Sequence, residues 1–99
     1  MLEITKMLTL STAHIKYDTA TKLDAAVSHQ QFESCTVYSK DNYGWFIYID
    51  ADAFAESKED IPADLLACIE LALAVDCAVL CLDADANDVD ELPCYDWDE

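Results

Sequence analysis

The sequence predicts a single-domain α+β sandwich, with a four-stranded, mainly antiparallel sheet and two helices on one face. Three features predict it: a hairpin pattern in the middle of the chain, an apolar helix after it, and a continuous apolar strand last. With 99 residues, 54% of them hydrophobic, the chain can bury one core but not two. We therefore expect residues 1–99 to form one acidic domain, with residues 84–99 as an acidic loop or tail.

The first strand and the first helix follow from local pattern. Residues 7–10 alternate and are β-prone, which predicts a strand. Asp18 is placed to cap a helix over residues 19–27. The apolar stripe of this helix is narrow and consists of Ala20, Leu23 and Val27. The pattern therefore indicates a helix that covers one side of the sheet and leaves its other side to solvent.

The middle of the chain carries the strongest β signal. Residues 35–38 and 45–49 are rich in β-branched and aromatic side chains. The segment between them contains an asparagine and the single glycine of the chain, Gly44, which suit a tight connection. Together these segments predict an antiparallel hairpin.

A second helix and a last strand complete the predicted fold. Asp60 can cap a helix and Pro62 is tolerated in a first turn, so a helix is expected from residue 63 to about residue 75. This helix is apolar almost all round and must be heavily covered. Residues 77–82 are a continuous apolar run, typical of a central strand buried on both faces. The resulting order, β-α-β-β-α-β, is that of the split βαβ, or ferredoxin-like, arrangement.

Charge is the most informative property of the sequence. Twenty-one acidic residues face five lysines and no arginine, for a net charge of −16 at pH 7. Direct binding to nucleic acid or to an anionic membrane is disfavoured, because both depend on Lys and Arg. Residues 59–99 hold thirteen of the acids and no base. This asymmetry predicts an acidic face for a basic partner rather than an evenly solvated surface.

The sequence argues against an enzyme and against a bound cofactor. One glycine leaves no phosphate-binding loop, and the lack of arginine leaves no bidentate clamp for an anionic substrate. His14 lies near Ser11 and Thr12, but no nucleophile elbow accompanies them. We expect His14 to make loop hydrogen bonds instead.

Two segments superficially resemble metal sites. Residues 83–91 begin like a calcium loop, but Asp88 stands where the turn needs glycine and Cys94 where a bidentate glutamate is needed. Cys77 and Cys81 would lie roughly 13 Å apart on a strand, too far to share one zinc ion. We expect no metal site, although chance binding of a divalent ion, an acidic strand exit and an anion-presenting surface remain open for residues 83–91.

Nothing in the sequence directs the chain to a membrane or out of the cell. Its start lacks a signal-peptide pattern, and the longest apolar run, 65–75, contains Glu70 and is too short to span a bilayer. Five cysteines, an odd number, suit a reducing compartment. A cytoplasmic protein is expected, either a monomer or a homodimer formed through the apolar second helix.

Four short segments carry a resemblance to a known family. They are LSTAHI (10–15), YGWF (43–46), LCLDAD (80–85) and LPCYDW (92–97). In these segments the chain resembles a family of small uncharacterised bacterial proteins carried on plasmids, phages and integrative elements. The resemblance implies no catalytic residues. It implies a mobile-element setting in a bacterial host, where small acidic proteins often neutralise host defence.

Charge and resemblance together suggest a DNA mimic that inhibits a host-defence protein. Its carboxylates would occupy the basic DNA-binding site of the partner, such as the site in a CRISPR surveillance complex that reads the short recognition motif. The alternatives are a restriction-system inhibitor and an antitoxin or accessory module that binds through apolar helix residues such as Leu66 and Leu73. The residues expected to bind the partner are Asp83, Asp85, Asp88, Asp90, Glu91, Asp96 and Asp98, a second cluster of Glu59, Asp60 and Asp64, and the aromatic anchors Tyr95 and Trp97.

Overall fold

A computed structural model describes residues 2, 4–28, 35–40 and 44–95, with the side chains of Ser57 and Asp60 excepted. The strands are β1 (Met7–Ser11), β2 (Cys35–Lys40), β3 (Gly44–Ile49) and β4 (Val79–Asp83). The helices are α1 (Tyr17–Ser28), α2 (Ala51–Ser57) and α3 (Ala63–Ala74). Two short 3₁₀ turns, Thr12–His14 and Lys58–Asp60, follow β1 and α2. The predicted α+β class with a four-stranded sheet is confirmed.

The strand order differs from the predicted arrangement. The sheet runs β1-β4-β3-β2, in which β1 is parallel to β4 and the other two pairings are antiparallel. The ferredoxin-like arrangement is therefore wrong, and the sheet is mixed. Hydrophobicity explains the difference, because the strand that is apolar on both faces, β4, takes an inner position. The first strand, with Met7 and Thr9 exposed, takes an edge.

One face of the sheet forms the core with the helices. Strand register places alternate residues on this face, where they pack against α1, α2 and α3. The buried strand residues of this face are Leu10, Cys35, Val37, Trp45, Ile47, Leu80 and Leu82. The helices contribute Ala20, Leu23, Ala26, Phe54, Leu65, Cys68 and Ile69. Each large aliphatic side chain buried here stabilises the fold by about 1.5–3 kcal/mol.

Three helix details depart from the sequence prediction. Helix α1 begins at Tyr17, so Asp18 lies in the first turn rather than at the cap, and Ala26 rather than Val27 completes its buried stripe. Asp60 lies in a 3₁₀ turn and Pro62 takes the capping position of α3. These shifts of one or two residues lie within the range over which helix ends commonly fray.

Helix α2 is the element that the sequence prediction missed. It has seven residues, and among those whose side chains are described only Phe54 lies deep in the core. The Asp50 side chain starts it by accepting hydrogen bonds from the backbone N–H groups of Asp52 and Ala53, both at 3.2 Å. So short a helix offers too few apolar positions to show a helical period.

Candidate partner-binding surface

The acidic loop, residues 84–95, leaves β4 through a turn organised by Asp83. The Asp83 side chain accepts a hydrogen bond from the Asp85 backbone N–H at 2.8 Å, and its backbone carbonyl accepts one from the Ala86 N–H at 3.1 Å. Its other carboxylate oxygen lies 2.9 Å from Lys40 Nζ. The hydrogen bond from the Asp85 N–H lowers the pKa of Asp83 most, and the contact with Lys40 lowers it further. Asp83 thus forms the base of the loop, and Lys40 offsets its charge.

His14 fixes the far half of the acidic loop to the body of the protein. The ring is 1% exposed. Its Nε2 accepts a hydrogen bond from the Val89 N–H at 3.0 Å, and its Nδ1 lies 2.9 Å from the Pro93 carbonyl oxygen. Since an N–H must donate and a carbonyl must accept, His14 is the neutral tautomer with its proton on Nδ1. The expectation that His14 serves loop hydrogen bonding is confirmed.

Further contacts tie the same loop down. The Tyr95 N–H donates to the Ala13 carbonyl at 2.7 Å. Val89 and Leu92 are half-buried and pack against the core cluster. The loop is therefore held by hydrogen bonds and apolar contacts along most of its length, and its charged side chains project from a fixed backbone.

Four carboxylates of the acidic loop are exposed to solvent: Asp85, Asp88, Asp90 and Glu91. Asp88 accepts a hydrogen bond from the Cys94 thiol, with 3.3 Å between Oδ2 and Sγ. Ion pairs among the described residues join Lys40 to Asp83 and Lys58 to Glu70, and neither involves these four carboxylates. We call these four residues the loop acids. Within the part of the chain that the structure describes, no lysine lies within ion-pair distance of these four carboxylates, although Lys40 interacts electrostatically with Asp85.

Asp64 does not belong to the accessible acidic surface, contrary to expectation. It is 8% exposed, and it joins the starts of α1 and α3. Its Oδ2 accepts the Lys16 backbone N–H at 2.6 Å, and both oxygens lie within 2.8 Å of the Thr19 hydroxyl. Its negative charge also sits in the first turn of α3, where the helix dipole favours it. Asp64 is therefore a structural carboxylate, with both oxygens engaged by groups of its own chain.

The remaining predicted residues divide by location. Glu59 is exposed in the 3₁₀ turn before α3, and Asp60 lies in the same turn. Tyr95 is half-buried, and Lys16 Nζ lies 5.4 Å from the centre of its ring, a cation–π contact within the chain. Asp96, Trp97 and Asp98 lie outside the described residues. The structure therefore places the loop acids, all exposed, on one anchored loop and gives Tyr95 an internal role.

A cleft of about 300 Å³ lies between the starts of α1 and α3 and the end of the acidic loop. Its charged lining consists of Lys16, Lys22, Asp18 and Asp64. The two lysines are balanced by the two carboxylates, so the cleft has no net preference for an anion or a cation. Its mixed charge distinguishes it from the uniformly anionic surface beside it.

Folding brings a cysteine, a histidine and an aspartate together, although they are distant in sequence. Cys94 Sγ lies 4.0 Å from His14 Nδ1 and donates to Asp88. The carboxylate of Asp88 raises the pKa of the Cys94 thiol, whereas a nucleophilic cysteine needs a lowered pKa. Both ring nitrogens of His14 are already engaged by the loop backbone. The arrangement anchors the loop and does not activate a nucleophile.

The described residues offer neither a metal site nor a membrane span. No group of three or more His, Cys, Asp or Glu side chains among them is arranged to hold a metal ion. In the same residues, no helix has both the length and the apolar character needed to cross a membrane. Cys68, Cys77 and Cys81 are buried and serve as packing residues, as the sequence indicated for Cys77 and Cys81.

Comparison with known proteins gives one match. Residues 7–97, nearly the whole chain, match the model of a family of unknown function described as the DUF5983 C-terminal domain. No curated protein and no solved structure matches the chain. The matched description names no activity, ligand or partner, so function must be inferred from the chain's own residues.

Proposed function

The chain belongs to the DUF5983 family of unknown function, and on that premise we propose that its acidic loop binds a basic surface of a protein partner. One observation carries the proposal: four exposed carboxylates stand on a loop whose backbone is pinned by His14. A net charge of −16 surrounds them. Such a field attracts a basic partner and speeds its encounter.

Order in the acidic loop favours tight binding. A disordered acidic tail loses conformational entropy when it binds, at about 1–2 kcal/mol for each backbone residue fixed. The loop acids of this chain stand on a segment already fixed by Val89, Pro93 and Tyr95. Much of that entropic cost is therefore met during folding rather than during binding.

The partner we propose is a DNA-binding protein of host defence, whose basic site this chain occupies in place of DNA. Duplex DNA offers one charge per about 1.7 Å of axis, and proteins that bind it make about 6–10 phosphate contacts. The four loop acids, Glu59 and the acids of residues 96–99 are comparable in number. The specific target we propose is the basic site of a CRISPR surveillance complex that reads the recognition motif beside its target. Restriction enzymes present the same chemistry and are the next class to test.

Masking of a partner through an apolar helix has less support. Leu66 and Leu73, the residues expected to make that interface, are half-buried and pack against the core cluster of their own chain. Helix α3 is thus covered largely by its own domain. We do not propose it as the binding surface.

The direct experiment measures target-DNA binding by purified defence complexes, type I CRISPR surveillance complexes first, in the presence of this protein across a salt series. A loop-neutral variant carries Asp85→Asn, Asp88→Asn, Asp90→Asn and Glu91→Gln. A matched control variant neutralises the same numbers of exposed Asp and Glu residues elsewhere, through Asp18→Asn, Asp52→Asn, Asp76→Asn and Glu56→Gln. Both variants change the net charge equally, so a difference between them reports position rather than total charge.

We expect the wild type and the control variant to displace DNA, with an effect that fades at high salt because the Debye length falls to about 3 Å at 1 M. We expect the loop-neutral variant to bind roughly thirtyfold more weakly, from four charge contacts of about 0.5 kcal/mol each. Equal losses in both variants would show that net charge alone matters. Unchanged DNA binding by every complex at excess protein would refute the proposed targets.

A further inference from the structure

The sheet face opposite the helices carries a regular grid of side chains. Strand register aligns three rows across β1, β4, β3 and β2. The first row is Met7, Val79, Tyr48 and Thr36, and the second is Thr9, Cys81, Phe46 and Tyr38. The third row is Ser11, Asp83, Gly44 and Lys40. We call these twelve residues the open face, because the described helices pack on the other side of the sheet. Val79 and Cys81 in this face are only 4% and 2% exposed, so the solvent-accessible part of the face consists of the side chains around them.

The open face exposes large apolar and aromatic side chains. Tyr38 is 55% exposed, Tyr48 50% and Met7 48%. The two tyrosine rings contact each other edge to face, with centroids 5.5 Å apart. This contact holds both rings in place and leaves about half of each to solvent. Tyrosines of this kind, rigid and amphipathic, are enriched at protein interfaces.

The open face is electrically neutral in a chain of net charge −16. Its charged residues, Lys40 and Asp83, lie 2.9 Å apart as an ion pair. A basic partner finds no unpaired carboxylate in the three rows. A nucleic acid finds no cation there besides Lys40, which is paired to Asp83. The face therefore fits a counterpart that is uncharged, apolar and aromatic.

We propose that this counterpart is a second copy of the chain, packed sheet to sheet through the open face. Two copies of charge −16 repel each other, and the neutral face is where they can approach without opposing carboxylates. A twofold axis sets each Tyr38–Tyr48 pair against the apolar rows of the other copy, as an isologous interface requires. Facing sheets pack about 10 Å apart, a distance that side chains of this size fill.

Interface area sets the strength of this dimer. Four strands about 4.8 Å apart and three rows about 6.7 Å apart give a face of roughly 400 Å² per copy. Two copies then bury about 800 Å², below the 1,200–2,000 Å² of stable interfaces. We therefore expect a weak dimer that depends on concentration. The proposal goes beyond the binding function and does not depend on it.

Sedimentation velocity over about 10 µM to 1 mM protein, the range of weak complexes, tests the proposal at two salt concentrations. At about 0.1 M and 1 M NaCl the Debye length is about 10 Å and 3 Å. We expect association to strengthen about tenfold at the higher salt, because repulsion between the copies is screened. Binding through the loop acids must weaken over the same range, so the two interactions respond in opposite directions.

Two sets of variants locate the interface. Thr36 is exposed in the first row, so Thr36→Glu places a charge in the open face and Thr36→Gln is its uncharged match. We expect Thr36→Glu to associate about tenfold more weakly than Thr36→Gln. Tyr38→Thr with Tyr48→Thr should abolish the dimer, whereas Tyr17→Thr, which alters a tyrosine 63% exposed on α1, should leave it intact.

The melting temperature of each variant verifies folding, and the Thr36 pair decides the test if the double tyrosine variant unfolds. A wild type that remains monomeric at the highest protein and salt concentrations would overturn the proposal. A dimer that persists equally in Thr36→Glu and in the double tyrosine variant would also overturn it, because its interface would then lie elsewhere, such as along the edge of β1 or β2.

Discussion

Replacement of His14 by alanine should release the backbone of the acidic loop without changing any of its carboxylates, so it tests the role of loop order independently of loop charge. The variant loses the hydrogen bonds from the Val89 N–H and to the Pro93 carbonyl, each contributing about 1 kcal/mol. It also replaces a buried ring by a methyl group, which adds about 1–2 kcal/mol for the lost packing. The expected loss is thus about 3–4 kcal/mol. For a domain of this size the melting temperature should fall by roughly 12–32 °C, at about 4–8 °C per kcal/mol.

Amide hydrogen exchange shows where that loss occurs. In His14→Ala we expect the Val89 and Tyr95 amides to exchange much faster than in the wild type, because the loop detaches from Ala13 and from residue 14. The Leu80 amide, in an inner strand, should stay protected while the sheet remains folded. If the Val89 amide kept its wild-type protection, His14 would not be the anchor and the reasoning would be refuted.

Three further predictions concern the core. Burial, and then the charge of Asp64, raises the pKa of the Cys68 thiol from 9.0 to about 12. Since this thiol ionises first in the unfolded chain, the free energy of unfolding should fall between about pH 9 and pH 12. The pKa values of Cys81 and Cys94 are also raised, so the test is the difference: the fall should be larger in the wild type than in Cys68→Ala, by at most about 4 kcal/mol. A Cβ at Gly44 would lie 1.6 Å from the Leu82 carbonyl oxygen. Gly44→Ala should therefore lower the free energy of unfolding, measured by urea denaturation, by more than about 4 kcal/mol. Near-wild-type stability would contradict the close approach of β3 to β4. Asp64→Asn should lower the free energy of unfolding by about 1.5–3 kcal/mol. A double-mutant cycle with Thr19→Val should give a coupling energy of about 1 kcal/mol between the two side chains. Additive losses in the cycle would argue against the direct hydrogen bond.

Elements with a strong local pattern were predictable from the sequence. The hairpin was evident from β-prone residues around Gly44, and β4 from its continuous apolar run. Helix α3 was evident from its length and apolar composition, with its start at Ala63 as expected. The parallel pairing of β1 with β4 was not predictable, because strand order depends on contacts between segments some seventy residues apart.

The candidate site was predictable in its charge but not in its anchoring. The density of acids in the carboxy-terminal part of the chain identified the loop acids as a surface. Nothing local indicated that His14 would bind residues 89 and 93, since the contact joins distant parts of the chain. Asp64 was predicted to be part of the acidic surface, but its side chain is buried against the Thr19 hydroxyl. A carboxylate at a helix start has the same sequence pattern whether it is exposed to solvent or hydrogen-bonded to a buried hydroxyl.

Competition between this protein and target DNA for one defence complex is the decisive test of the proposed function. The apparent Kd of the complex for DNA is measured at increasing concentrations of wild-type protein, of the loop-neutral variant and of the matched control variant. We predict that the apparent Kd rises in proportion to wild-type or control protein without a plateau, and that the loop-neutral variant needs roughly thirtyfold higher concentration. A plateau, or equal potency of the two variants, would contradict occupation of the DNA site by the acidic loop.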